Sequence, residues 1–271
     1  MAGFALGGYI YSLYGWGTAF LVAGIPGLIL ALVVRLTVRE PVRGLADQRT
    51  DDSAPTIGET LKFVLGQSSY LWLLAGCLLI CISANAFLVF TSSHLQRTYG
   101  LTPGEVSLPL GLLIGGVGSL GAVVLGRVCD TLSKRDLRWR PLIIALCAGI
   151  ALPFAWMFLR APTVEAAYAW NVVPSFIGLI YASVAYTASQ ELVKLRMRSF
   201  ASAFMLFCLT LIGIGCGPWI AGALSDHFVA QGAAQPLARS LELILLFNGA
   251  SIFCLLMATR HYRRDAARAA E

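Results

Sequence analysis

The chain has 271 residues, of which 58% are hydrophobic and only 13% are charged. A soluble domain ordinarily carries about 25% charged residues, so this composition excludes a single-core soluble enzyme and a disordered chain. The net charge of +6 does not indicate a nucleic-acid-binding protein, because the basic residues stand between apolar runs and form no stripe. The seven cysteines lie apart, mostly in apolar stretches, unlike a disulfide framework. The composition indicates an integral membrane protein whose surroundings are a lipid bilayer.

The first apolar run, residues 1–34, contains no charge and breaks at residues 14–17, which read Tyr-Gly-Trp-Gly. Glycines beside aromatic residues indicate a turn near a membrane interface. Residues 2–14 would form a helix of about 20 Å, too short for a bilayer of about 30 Å. No Lys or Arg precedes Arg35, so the basic start of a signal peptide is absent. We predict that residues 2–14 are the second part of a helix whose beginning is missing.

Six further apolar runs follow, and each is long enough for the roughly 20-residue helix that a bilayer demands. A soluble protein can bury an apolar helix, but six such runs in one short chain are typical of a multi-pass membrane protein. Together with the two parts of the first run, they make eight apolar segments. The six runs are 63–93, 106–126, 141–159, 166–190, 199–225 and 243–259.

The positions of Lys and Arg predict the orientation of these helices. Of the 20 basic residues, 17 follow the second, fourth, sixth and eighth apolar segments, and only Arg97, Arg160 and Arg239 lie in the intervening loops. Because positively charged loops remain on the cytoplasmic side, we expect a cytoplasmic C-terminus. The polar segment 39–59 mixes both charges with Pro, Gly and Ser, so it is expected to be a solvated cytoplasmic loop, with room for a short surface helix.

Two glycine-rich helix ends resemble each other. The segment Gly3-Phe4-Ala5-Leu6-Gly7-Gly8 precedes Gly15, and Gly217-Pro218-Trp219-Ile220-Ala221-Gly222 precedes Asp226. Glycines four or five residues apart let helix backbones approach closely, and Pro218 permits a bend. If these helices correspond, they are the fifth and eleventh of a twelve-helix protein, and four further helices are expected before residue 1.

The first of these segments resembles the G-P-x-x-G-G motif in the fifth helix of the major facilitator superfamily, with Phe4 in place of Pro. The segment 126–135 resembles the family's loop motif G-x-x-x-D-R-x-G-R-R, with Thr131 in place of its first basic residue. The stretch 190–226 is similar to the tenth and eleventh helices of Spinster-like transporters. Residues 15–27 and 39–41 also fit that branch.

The resemblance implies an all-α membrane protein with a partial major facilitator fold: part of helix five, helix six, and complete helices seven to twelve. In chain order, the two parts of the first apolar run are helices five and six, and the six further runs are helices seven to twelve. It implies a remnant of the N-terminal half at 1–38, a cytoplasmic central loop at 39–60, a six-helix C-terminal half at 61–262 and a cytoplasmic tail at 263–271. Such carriers work by alternating access, in which two halves rock around a central site. The implied substrates are small amphipathic, lipid-like or organic-anionic solutes, and the implied location is a bacterial inner membrane.

The loop motif after helix eight has two interpretations. It forms a cytoplasmic gate if Asp130 pairs with a cation on an adjacent helix, supplied by Arg127, by Arg135 or from elsewhere in the same half. Alternatively, its cations only orient the helix in the membrane. An exposed ion pair contributes about 0–1 kcal/mol, enough to bias two nearly balanced conformers. The motif residues are Gly126, Arg127, Asp130, Lys134 and Arg135.

Polar residues in helices seven and ten are candidates for lining a substrate cavity. At helical spacing they are Asn85, Tyr181, Ser183, Tyr186, Thr187 and Gln190. The alternatives are an interhelical hydrogen bond for Asn85, and packing of the helix-ten face against a ridge of Gly111, Gly115 and Ser119 in helix eight. The residues expected to serve close packing or bending are Gly3, Gly7, Gly8, Gly111, Gly115, Gly213, Gly217, Pro218 and Gly222.

No cofactor is expected from this sequence. Its three histidines are too scattered for a metal site, and it has neither a G-x-x-x-x-G-K-[ST] nucleotide loop nor a hydrolase motif. No Asp or Glu stands near the middle of helices seven to twelve, so any proton-coupling carboxylates are expected in the missing helices. We predict a secondary transporter rather than an enzyme, active only as part of a longer chain. The alternative is a truncated membrane scaffold or a half-transporter that binds a partner.

The alternation of basic and neutral loops can be tested by topology reporters. We expect a fusion after Arg135 to report the cytoplasm and a fusion after Arg97 to report the opposite side, because helix eight separates the two positions. Activity of alkaline phosphatase and green fluorescent protein fused at each position measures this. Exposure of both positions on one side would contradict the predicted topology.

Overall fold

In the computed structural model, residues 2–38 and 56–270 of the chain are described, and every regular element in these ranges is a helix. The chain divides into two compact units, Met1–Ala54 and Pro55–Glu271. Seven helices in the described ranges are long and apolar enough to cross a membrane, one in the first unit and six in the second. The predicted all-α membrane fold is confirmed.

The first unit contains α1 (Ala2–Thr37), which breaks at Gly15. Gly15 has φ 79° and ψ 174°, a backbone conformation that residues with a Cβ avoid. The break lies inside the predicted turn at residues 14–17, and the helical segment after it includes an apolar span at Phe20–Thr37. The predicted packing glycines Gly3, Gly7 and Gly8 lie on α1 before the break, but their surroundings lie outside the described part of the structure.

The second unit contains the six predicted helices seven to twelve. Its α-helices are α2 (Ile57–Gly66), α3 (Ser68–Tyr99), α4 (Pro103–Gly111), α5 (Gly118–Ser133), α6 (Trp139–Leu159), α7 (Val164–Ile177), α8 (Ile180–Glu191), α9 (Arg198–Cys208), α10 (Gly215–Ala230) and α11 (Pro236–Ala270). Helix seven is α3, helix nine is α6 and helix twelve is α11. Helix eight is α4 and α5 joined by a π turn at Leu112–Val117, and helix eleven is α9 and α10 joined by a π turn at Leu209–Ile214. Helix ten consists of α7 and α8.

The helix α2 begins inside the segment predicted as the central loop. The Thr56 hydroxyl accepts a 3.3 Å hydrogen bond from the Glu59 N–H, and the Glu59 carboxylate accepts a 2.9 Å bond from the Thr56 N–H. This capping box starts the helix, and the Thr56 N–H lowers the pKa of Glu59. The chain is extended at Gln67, so helix seven begins at Ser68 rather than at Phe63. Residues 66–69 read Gly-Gln-Ser-Ser, which was the available signal for this break, but the absence of charge across them made residues 63–93 look like one run.

The helix α11 continues through residues 263–270, which were predicted as a tail, and it caps the start of α3. The Asp265 carboxylate accepts 2.8 Å hydrogen bonds from the Ser69 N–H and from the Ser69 hydroxyl. Asp265 is buried, and an anion at a helix N-terminus is favoured by the unpaired N–H groups there. The segment predicted as a tail is therefore helical as far as Ala270 and is packed against α3 at Asp265.

Glycines bring helix backbones into close contact beside both π turns. A Cβ built on Gly217 of α10 would lie 2.5 Å from the Ile82 carbonyl oxygen of α3. A Cβ on Gly118 of α5 would lie 3.1 Å from the Ser175 carbonyl oxygen of α7, and one on Gly121 would overlap the Phe176 carbonyl group. These helices therefore approach each other at positions where only a residue without a side chain fits.

The contact between helices eight and ten differs from the predicted ridge. Gly118 and Gly121 meet the α7 backbone, whereas Ser119 is exposed. The π turn that contains Gly115 and follows Gly111 has more residues per turn than an α-helix. Residues four apart therefore do not lie on the same helix face across this turn. For this reason Ser119 does not continue the predicted ridge of Gly111 and Gly115.

The Gly217 contact predicts that an alanine at this position lowers the stability of the protein more than an alanine at Gly215. We expect Gly217→Ala to destabilise the protein by about 1–3 kcal/mol, because the new methyl group would press on the α3 backbone. Gly215→Ala is the matched control on the same helix, since a Cβ there meets nothing within 4 Å. Thermal unfolding of the detergent-solubilised variants measures both effects. Equal losses of stability in the two variants would contradict this prediction, because they would show that the contact between Gly217 and α3 is not the cause.

Candidate functional site

A cavity of about 270 Å³ lies among the helices of the second unit. Its walls come from α3, the π turn of helix eight, α6, α7, α8 and α11. Most of the lining is aliphatic or aromatic, and none of the lining residues is charged. The polar lining residues are Ser83, Asn85, Thr91, Asn171, Ser175, Tyr181 and Asn248.

Helix ten is interrupted at this cavity. Gly178 and Leu179 separate α7 from α8, and both line the cavity together with Pro174. Proline has no N–H to donate to the helix, and it weakens the turn in which it stands. In a membrane protein, backbone outside a regular helix is tolerated where it is buried or lines a cavity. The interruption therefore lies at the wall of this mainly apolar space.

Asn85 and Tyr181 are the two predicted lining residues that this cavity contains, and both contact Cys81. The Asn85 amide donates to the Cys81 carbonyl oxygen at 2.9 Å and to its sulfur at 3.3 Å. Tyr181 lies beside the same thiol. Asn85 therefore bonds to its own helix, contrary to the alternative of an interhelical bond, and Tyr181 is where α8 packs against this part of α3.

The other predicted residues of helix ten do not line this cavity. Ser183 and Thr187 are exposed, and their hydroxyls donate to carbonyl oxygens of their own helix. Gln190 is also exposed and donates a 2.9 Å hydrogen bond to the Ser202 hydroxyl of α9, and Tyr186 is half-buried. The four residues form a polar face on the surface of the second unit.

Asp130 belongs to a charge network at the end of the helices. Arg140, at the start of α6, donates to Asp130 at 2.8 Å and to Glu191, at the end of α8, at 2.9 Å. The Tyr262 hydroxyl of α11 donates to the other Glu191 oxygen at 3.1 Å. The Arg140 side chain is only 12% exposed, compared with 65% for Asp130. Arg140 therefore joins the ends of α5, α6 and α8, and Glu191 connects this network to α11.

The partner of Asp130 is Arg140, and neither Arg127 nor Arg135 is in ion-pair contact with it. Lys134 and Arg135 are exposed beyond Asp130, and Arg127, one turn before it, is also exposed. A Cβ on Gly126 would meet nothing within 4 Å, so close packing does not require a glycine at this position. Arg127 and Arg135 were the wrong candidates because their side chains are exposed and do not face α6. Arg140 is ten residues after Asp130 in the sequence, but the α5–α6 loop brings it back beside Asp130.

The basic segments after helices eight, ten and twelve meet at this same end of the second unit. Arg263 of α11 pairs with Asp136 of the α5–α6 loop at 2.6 Å, and its guanidinium lowers the pKa of Asp136. At the other end, Arg160 pairs with Glu242 at 2.6 Å, and the Tyr99 hydroxyl donates to the Ala161 carbonyl oxygen. Charged side chains thus gather at the two ends of the helices, as a bilayer requires.

Sequence reasoning missed Asn171, Asn248 and Arg140. Asn171 stands three residues before Pro174, and the pair of Pro174 and Gly178 was the available signal for an interruption. Asn248 resembled any other polar residue in an apolar run, and Arg140 was counted only as a positive charge near the membrane. Among the described residues, no group of three or more His, Cys, Asp or Glu side chains is placed to hold a metal ion.

Comparison with known proteins identifies the family. The sequence pattern of the Major Facilitator Superfamily matches residues 1–218. An MFS-type efflux pump of Mycolicibacterium smegmatis is 30% identical over 264 residues, which cover 96% of this chain and 60% of the pump. Protein spinster homolog 1 of Xenopus tropicalis is 24% identical over 90% of this chain and 50% of its own length. The sphingosine-1-phosphate transporter of Danio rerio is 27% identical over 84% of this chain and 48% of its own length.

A solved structure shows the same fold. The crystal structure of a bacterial homolog to the human lysosomal transporter Spinster, in an inward-facing and unoccupied conformation, matches 98% of this chain and 65% of its own with a TM-score of 0.60 and 21% identity. This chain spans about half to 60% of the length of the curated relatives described above. The chain belongs to the major facilitator superfamily, and it is similar to Spinster proteins over most of its length.

Proposed function

We propose that this chain forms the C-terminal part of a secondary transporter that moves a small amphipathic or organic-anionic solute by alternating access. The observation that carries the proposal is the interruption of helix ten beside a cavity in a six-helix unit. Interrupted helices at the level of a cavity are typical of substrate and ion sites in secondary transporters. The family match supports the same function for the longer relatives.

Alternating access requires each half to move as one body, and the Arg140 network supports this behaviour in the second unit. The network connects α5, α6, α8 and α11 at one end, and the Arg160–Glu242 pair connects α6 to α11 at the other. The cytoplasmic gate is thus proposed to act by holding one half rigid through Asp130, Arg140 and Glu191. We propose that this end faces the cytoplasm, together with the C-terminus.

The exposed polar face of α8 is proposed to contact the polar part of the cargo. Ser183, Thr187 and Gln190 present hydroxyl and amide groups on the surface of the half, where the other half of a carrier would complete the central site. A relative transports sphingosine-1-phosphate, which has an anionic headgroup and an apolar tail. A lysophospholipid or another lipid-like anion is the proposed cargo class, with transport across a bacterial inner membrane.

We further propose that transport needs helices beyond this chain. The chain covers 60% of the Mycolicibacterium smegmatis pump, and residues 1–38 and 61–262 are proposed as a remnant of one half and the whole of the other, joined by the loop 39–60. A central site between two halves would therefore lack most of one wall. Any carboxylates that couple transport to protons are proposed to lie in those further helices.

The network predicts unequal effects of its members on stability. We expect Arg140→Gln and Glu191→Gln each to lower the free energy of unfolding by about 3 kcal/mol. The first leaves Glu191 without its cation, and the second leaves the poorly exposed Arg140 with only the largely exposed Asp130 as a partner. Asp130→Asn should cost less than about 1 kcal/mol, since its carboxylate is largely exposed. Chemical unfolding in detergent measures these values, and Arg135→Gln is the control for the loss of an exposed charge. A larger loss for Asp130→Asn than for Glu191→Gln would contradict this assignment.

Transport can be tested in proteoliposomes with a fluorescent lysophospholipid and a sugar acid. We expect no transport by the 271-residue chain alone, and saturable transport of the lysophospholipid when it is co-expressed with the unmatched part of the Mycolicibacterium smegmatis pump. In that assembly, Thr187→Val should raise KM several-fold, whereas Thr259→Val on α11 should not; both hydroxyls bond to their own helices.

Three results would overturn parts of this proposal. Transport by the chain alone would show that further helices are not needed. Transport of the sugar acid alone would replace the proposed cargo class. Absence of transport by a correctly folded, co-assembled protein would favour the alternative, a membrane scaffold or partner-binding half.

A further inference from the structure

The cavity of the second unit carries an inference that does not depend on transport. We infer that it is a binding site for an uncharged, mainly aliphatic molecule with one hydroxyl group, such as a medium-chain alcohol. Every lining residue lies between Ile80 and Asn248, so the site is complete within Pro55–Glu271. It therefore needs no residue from the rest of a longer carrier.

The size and lining of the cavity favour an aliphatic ligand. A volume of about 270 Å³ is far larger than the space of a single water molecule. The walls include Ile80, Ile144, Phe158 and Leu245, which would gain contacts from a hydrocarbon chain. Apolar cavities of this kind bind apolar molecules readily, because their walls lack partners for dispersion contacts when no ligand is present.

Asn248 supplies the polar contact for such a ligand. This α11 residue is 9% exposed and lines the cavity, and its carboxamide oxygen is buried without a hydrogen-bond partner among the described residues. A buried acceptor without a donor is unfavourable, because its lost contact with water is not compensated. A ligand hydroxyl that donates to this oxygen would remove that cost. Asn171 of α7 also lines the cavity, and its amide adds a second polar group to the site.

Asn248 differs from the other polar residues of the wall. The Asn85 amide already donates to Cys81, and Tyr181 lies beside the same residue. Among the described lining residues, the Asn248 carboxamide oxygen is the side-chain polar atom that is fully buried without a hydrogen-bond partner. Asn248 is therefore the residue that should decide the position of a ligand hydroxyl.

The absence of charge in the lining excludes the anionic part of the proposed cargo. No Lys, Arg or His is among the lining residues, so a buried carboxylate or phosphate would have no counter-charge. Burial of an ionised group without a partner is far more costly than burial of a hydroxyl. The cavity should therefore prefer an alcohol to the carboxylate of the same chain length.

Exposed lining residues mark where a ligand enters. Leu88 of α3, Ile114 of helix eight and Leu179 between α7 and α8 line the cavity and are at least 36% exposed. The interruption of helix ten thus lies at the opening. An aliphatic chain can pass this apolar rim without desolvating a charge.

Photolabelling of the 271-residue protein in lipid nanodiscs tests the inference. The probe is a diazirine derivative of 1-octanol, with the matching octanoic acid derivative as the charged comparison. We expect saturable labelling by the alcohol on peptides of α3, α6, α7 and α11, competition by 1-decanol, and labelling by the acid at least tenfold weaker. Mass spectrometry locates the labelled residues.

Two variants test separately the hydrogen bond to Asn248 and the volume of the cavity. Asn248→Leu keeps a similar volume without the acceptor, and we expect about tenfold weaker competition by 1-decanol, the factor for one hydrogen bond. Ala151→Phe fills the cavity from α6 and should abolish labelling without removing a polar group. Ala250→Leu, an exposed position on α11, is the control and should label like the unaltered protein.

Some results would overturn the inference irrespective of transport. Labelling that does not saturate, or that is equal for alcohol and acid, would show partition into lipid only. Unchanged competition in Asn248→Leu, in a protein whose thermal unfolding is preserved, would show that water alone satisfies this carboxamide. If Asn248→Leu does not fold, the preference of the unaltered protein for alcohol over acid still decides the matter.

Discussion

A bilayer offers no water to the backbone, so each spanning segment must satisfy its N–H and C=O groups internally. This constraint governs where the helices of the second unit can deviate. Helices eight, ten and eleven are interrupted, and each interruption adjoins a tight helix contact or the cavity. The π turns precede or contain the glycines that meet α7 and α3, and the break at Gly178 lines the cavity. Each of these irregular stretches of the second unit thus has a neighbouring helix or the cavity on one side.

The paired arrangement of helices eight and eleven follows from the same constraint. Gly118 and Gly121 meet α7 just after one π turn, and Gly213 and Gly217 meet α3 in and after the other. In major facilitator proteins each six-helix half is built from two inverted three-helix repeats, and helices eight and eleven are the middle helices of the two repeats. The same device at both positions keeps two helices close to the helices that line the cavity.

Charge is excluded from the interior and collected at the ends, where it serves a different purpose. Arg140 contacts two carboxylates from different helices, and Asp265 binds the start of α3 from the far end of the chain. These contacts join segments that are distant in sequence, and they connect helices seven and twelve and helices eight, nine and ten. The uncharged cavity and the exposed polar face of α8 are two chemically different surfaces, and we propose that the first binds an uncharged chain and the second a polar headgroup.

The sequence alone was enough to predict that the protein lies in a bilayer, which segments cross it and which family it resembles. Hydrophobic runs, basic loops and short glycine motifs are local features of the chain, so they can be read without the fold. The sequence also located the break at Gly15, since Gly beside aromatic residues is a local turn signal. Only the tertiary structure decided that Asp130 pairs with Arg140, that α11 caps α3 and that Asn171 and Asn248 share one cavity. These relations depend on which helix faces which and on the rotation introduced by π turns, and a pattern of residue spacing within one helix carries neither.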